Sequence, residues 1–210
     1  MSKRRKKNRG DPSRSQSSRP PAPRASRSGQ SHREATSNPG LLVYALLGVS
    51  VFLFAYLHLY ALPQMTYFAG GFSMPDTRLF GYDVAYIERL RNVMDDVALG
   101  QLSFLHKTAG VLFPVSCFFA AWAVAGLIMR RGAFRWCVVA LAGIFAVLDI
   151  AEGFVIDRIL TMEPLDTGLV AASSAMTMVS WSLLVLVGAI VLGVAVMRII
   201  RGSLENPAER

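Results

Sequence analysis

At 210 residues, 53% of them hydrophobic, and with a mean hydropathy of +0.40, the chain is either embedded in a membrane or an unusually apolar soluble domain. Its formal net charge of +8 is misleading, because eleven of the 22 Lys and Arg residues fall in Met1–Gly40, against only Asp11 and Glu34. The remainder is slightly acidic, which excludes a broadly basic body and makes the basicity a property of one tail.

Residues 1–40 are rich in Arg, Ser and Pro and carry almost no large apolar side chains. Such a segment buries too little surface to offset its ordering entropy, so a disordered basic tail is expected. Its leading cluster, Lys3, Arg4, Arg5, Lys6, Lys7 and Arg9, suits contact with anionic lipid headgroups, worth about 1 kcal/mol per basic residue near the surface. The plainer reading is a topogenic charge block. Nonspecific nucleic-acid contact is a third, but no aromatic residues interleave the charges, and no specific nucleic-acid partner is expected.

Four apolar runs follow, at about 41–62, 109–129, 136–155 and 169–197, each reaching the roughly 20 residues that cross a bilayer. Three of them contain no Lys, Arg, Asp or Glu, which core helices of soluble proteins seldom manage. The expected fold is all-α: a polytopic membrane four-helix bundle over residues 41–200, with a short tail at 201–210. The first run exceeds the about 7–15 apolar residues of a signal peptide and reads as an uncleaved anchor. Arg130, Arg131 and Arg135, together with Arg198, Arg201 and the basic tail, lie on one side if there are four crossings. Both termini are then expected in the cytoplasm.

Between the first two runs lies the one sizeable segment outside the membrane, residues 63–105. Asp83 can cap a helix whose apolar residues Val84, Ile87, Leu90 and Met94 recur at helical spacing, and Asp95/Asp96 can open another that leads into the second crossing. An amphipathic helix on the outer leaflet or over the bundle is expected. Tyr82, Tyr86 and Trp181 read as interface anchors. Cys117 and Cys137 fall at different depths and read as unpaired packing residues.

Stripes of compact residues mark the helix contacts. They run Gly110, Pro114, Cys117, Ala121, Ala125 in the second crossing, reaching His106 four residues outward. The third has Ala142, Ala146, Asp149, Gly153, and the fourth Ser173, Thr177, Ser180, Leu184, Gly188. Counting about 1.5 Å per residue from the basic ends puts Asp149 roughly 21 Å and Glu152 roughly 25 Å across a core of about 30 Å. His58, His106 and Ser180 come out at the same outer level. A carboxylate at mid-membrane costs roughly 2.5–3.5 kcal/mol on insertion scales, so Asp149 and Glu152 are expected to face other helices.

Such a layer could be a hydrogen-bonded structural cluster, a proton or polar-ligand site, or three ligands of a water-activating zinc centre. The sequence has no HExxH, no paired HxxxH and no Gly-rich phosphate loop, so no catalytic residue, metal ligand or cofactor is assigned.

From Leu79 to about Leu160 the text LFGYDVAYIERL…LHKTAGVLFPV…AVLDIAEGF resembles a group of uncharacterised bacterial four-helix membrane proteins. Phe80-Gly81-Tyr82, Phe113-Pro114 and Asp149/Glu152 carry the likeness. Gly110 stands where that pattern has an acid, and Gly153 where it has Asn. The resemblance implies a bacterial plasma (inner) membrane protein and a four-helix bundle, and no activity. The expected function is a non-enzymatic membrane component, in contact with lipid and with a membrane-protein partner. The alternative is a small membrane enzyme or a proton or polar-ligand carrier using His58, His106, Asp149 and Glu152.

Overall fold

A computed structural model describes residues 39–205. The basic cluster from Lys3 to Arg9 and the last five residues lie outside the described residues. The first rod comprises α1 (Pro39–Ala55), a π-helical turn (Tyr56–Ala61) and α2 (Leu62–Phe68). A 3₁₀ turn (Pro75–Thr77), α3 (Val84–Val93), α4 (Asp96–Lys107), α5 (Ala109–Leu127), α6 (Ala133–Thr161) and α7 (Thr167–Glu205) follow. Among the described residues there is no strand. Four stretches are long and apolar enough to cross a membrane: Gly40–Phe68, Asp96–Leu127, Ala133–Thr161 and Thr167–Arg198. The fold is the all-α membrane four-helix bundle that the four apolar runs imply.

The spans outrun the apolar runs at their outer ends, because a charge ends an apolar run without ending a helix. Asp157 and Arg158 remain inside α6, which stops only at Met162, two residues before Pro164. The first rod likewise continues past Pro63. Proline offers no N–H and crowds the preceding turn. The chain absorbs this in the π turn, where the Leu62 N–H bonds the Leu57 carbonyl five residues back.

In the bundle, α5 packs between α1 and α6, and α7 packs mainly on α6. The compact stripes lie at these contacts: Ala121, Ala125, Ala142, Ala146, Ser173 and Thr177 are all buried. Phe52, Leu59, Val147 and Val185 face outward, an apolar girdle suited to lipid. One apolar cluster fills the outer half around Phe113, Phe145 and Ile156. A second closes the inner half around Val43, Val124, Val138, Ala142 and Val191.

Segment 69–95 folds down over the outer end of the bundle. The Asp83 carboxylate accepts from the Tyr86 N–H at 2.8 Å and starts α3, whose Ile87 and Leu90 are fully buried against the bundle. Asp95 caps α4 in the same way through the Ala98 N–H, at 2.8 Å. The aromatic residues expected at the lipid interface turn inward instead. The Tyr86 hydroxyl donates to the Ser73 carbonyl, that of Tyr82 donates to Ser173 Oγ at 2.7 Å, and Trp181 Nε1 donates to the Asp76 carbonyl at 2.8 Å. Each polar tip finds a partner in the folded-back segment or on α7, which sequence spacing does not reveal. Cys117 and Cys137 are free thiols.

Candidate functional site

All four rods and the folded-back segment meet around one polar cavity of about 50 Å³. The π turn contributes His58, α4 His106, α6 Asp149 and Glu152, and α7 Ser180 and Trp181. The five polar residues that depth counting puts at one level, His58, His106, Asp149, Glu152 and Ser180, therefore line a single space. Asp76, from the 3₁₀ turn, lines it too, and nothing in the sequence marks it. Its position depends on the loop folding back, which leaves no local periodic signal.

His106 is the pivot. Its ring is buried, with Nδ1 2.6 Å from Asp157 Oδ1 and Nε2 3.3 Å from Asp76 Oδ2. A doubly protonated ring satisfies both contacts as a donor, and a neutral ring does so if one carboxyl supplies the second proton. Asp157 is held on its other oxygen by Ser103 Oγ, which donates at 2.8 Å, and Lys107 lies 3.9 Å away. Asp157, Ser103 and Lys107 also line an open outer depression. His106 thus stands between the outer surface and the buried cavity.

Asp157 is absent from the residues singled out by sequence, although its signal is present. It falls four residues beyond Gly153 on the stripe that carries Asp149, just as His106 falls four residues before Gly110. Gly153 itself lets the two helices close. A Cβ there would lie 3.3 Å from both Cβ and Cγ of His106, tighter than ordinary contact.

Glu152 is only 4% exposed, and its Oε1 lies 2.6 Å from Thr177 Oγ1. Thr177 also lies 3.2 Å from the Ser173 carbonyl, so its one proton serves one acceptor at a time. His58 Nδ1 lies 3.2 Å from the Phe54 carbonyl, which accepts only, so Nδ1 carries the hydrogen and a neutral ring keeps Nε2 as an acceptor. The imidazole stacks on Phe54 at 4.5 Å and meets the edge of Trp181 at 5.0 Å.

Two cavity atoms, Ser180 Oγ and Asp76 Oδ1, are buried without a hydrogen-bond partner among the described residues. Leaving such groups unpaired costs about 1–3 kcal/mol each, so water or another polar group is expected beside them.

Above the cavity, the backbone N–H of Tyr82 donates to Ser174 Oγ at 2.9 Å and its hydroxyl to Ser173. Burial pushes the Tyr82 phenol up to about 12 against the partial relief given by Ser173. Gly81, at φ +79°, sets this approach, since a Cβ there would fall 2.5 Å from Ser174 Oγ. The Phe80-Gly81-Tyr82 turn is thereby a docking device for the loop on α7.

Among the described residues no three of His, Cys, Asp and Glu converge to hold a metal ion. Asp157 and Asp76 sit on opposite nitrogens of His106, so one ion cannot reach all three. The zinc alternative therefore lacks a ligand set here. No protein-family model, curated protein or solved structure matches the chain.

Proposed function

We propose that this chain is a non-enzymatic component of a bacterial inner membrane that binds a proton or a small polar ligand in its outer half. The observation that carries the reading is His106, whose two nitrogens face one carboxylate at the outer depression and another in the cavity. Passing a proton through the ring would link the two spaces without any large motion. The cavity's size argues for a proton, water or a single small group, since about 50 Å³ admits only a few waters. The inner apolar cluster argues against a continuous polar path to the other side.

Both termini are taken as cytoplasmic, because Arg130, Arg131, Arg135 and Arg198 gather at the inner ends of the spans. The bacterial assignment rests on the motif resemblance. The basic tail would meet anionic lipid, and the girdle around the bundle would accept lipid or a membrane-protein partner.

Infrared difference spectra of reconstituted protein, recorded while the external pH is stepped, test the reading. Buried-carboxyl bands should appear, and Asp149→Asn or Glu152→Gln should remove them in part, while His106→Gln slows their response. A wild-type spectrum without such bands overturns it.

A further inference from the structure

A second cavity adjoins the polar one and shares Phe113, Phe145 and Leu184 with it as walls. This one holds about 250 Å³ and is lined almost wholly by apolar side chains of α1, α5, α6 and α7. It lies between α1 and α7, which each pack chiefly on other helices. Val51 and Leu192 at its edge are exposed on the lipid-facing side. A hydrocarbon chain could enter there directly from the bilayer.

The polar end has a marked imbalance. Asp76, Asp149, Glu152 and the Nε2 of a neutral His58 can all accept, whereas the described lining residues offer as donors the Ser180 hydroxyl and the His106 ring, already shared between Asp76 and Asp157, and no Lys or Arg. Ser180 Oγ, close to Glu152, has no hydrogen-bond partner among the described residues although the residue is only 2% exposed. Three acids against one imidazole favour a ligand that brings donors and positive charge. An ammonium group supplies three donors, is about the size of a water and suits walls of Trp181 and Phe113. A carboxylate would meet three acids.

Resting on the polar-site reading above, we propose that the ligand is an amine-headed amphiphile taken from the membrane. Its ammonium head occupies the cavity among Asp76, Asp149, Glu152 and Ser180, and its alkyl chain lies in the groove along Gly188. From Val51 to His58 the first rod rises by about 10 Å, so the head points outward and the chain toward mid-membrane, as in a lipid of the outer leaflet. The groove is apolar where the chain lies, and the acids occur only at the head.

Native mass spectrometry of the full chain in a neutral detergent, with dodecylamine, dodecanol or dodecanoate added, tests this. The amine should be retained at least about tenfold better than the acid, with the alcohol between them. A Cβ placed on Gly188 would meet nothing within 4 Å, so Gly188→Leu fills the groove without a clash at its root. It should lower amine retention by about tenfold while helix content and melting temperature hold. Equal retention of amine and acid, or unchanged amine retention in Gly188→Leu, would overturn the amphiphile. The carboxyl bands in the infrared spectrum separate the two ideas. Wild-type bands without amine selectivity reject the amphiphile alone, whereas a wild type with neither rejects the polar site beneath it.

Discussion

At the scale of single residues, the site depends on a few close approaches whose costs can be stated. Gly153 lies against His106 with no room for a branched side chain. Gly153→Val should destabilise by about 1–3 kcal/mol, even though leaving glycine favours the helix by itself. A melting temperature at or above that of the wild type would show that His106 yields freely. Thr177→Val removes the hydroxyl beside Glu152 and should cost a similar amount, read as a lower denaturant midpoint. Tyr82→Phe loses the bond to Ser173, about 1 kcal/mol at neutral pH. It also changes the alkaline limb. An exposed phenol loses its proton near 10.0, whereas folded Tyr82 keeps it up to about 12. In that window the folded state binds the extra proton, so the contribution is complete below 10 and disappears as pH rises through 12. Unfolding curves recorded between those values should fall less steeply for Tyr82→Phe than for the wild type.

At the scale of elements, caps decide where helices begin and proline geometry decides how they bend. Asp95 supplies the cap of the helix that carries His106, and Asp95→Ala should lower stability by about 1 kcal/mol in equilibrium unfolding. Much of this level is legible in the sequence. Apolar runs mark the four crossings, Asp83 and Asp95 mark two helix starts, and the compact stripes mark the packed faces. The outer helix ends are not legible, because Pro63 and Asp157 look like boundaries yet lie within continuous helices. The inward turn of Tyr82 and Trp181, and the place of Asp76, are hidden for a related reason. Asp76 and Trp181 are 105 positions apart, and no periodic pattern encodes a loop that folds back. His58, His106, Asp149, Glu152 and Ser180, which depth counting groups from a rise of about 1.5 Å per residue, all line the one cavity.

At the scale of the whole molecule, the two halves of the bundle have different chemistry. The outer half carries one buried and several half-buried acids, two imidazoles and unpartnered polar atoms, while the inner half is closed by Val, Ala and similar side chains. On the proposed reading, such a site communicates with one aqueous side only. The most direct measurement is proton movement across vesicles containing the full chain, with a pH-sensitive dye trapped inside and a pH step applied outside. The imposed gradient should persist as long as in protein-free vesicles. A gradient that collapses faster with the protein present, and is restored by Glu152→Gln, would contradict a one-sided site and make the chain a proton carrier.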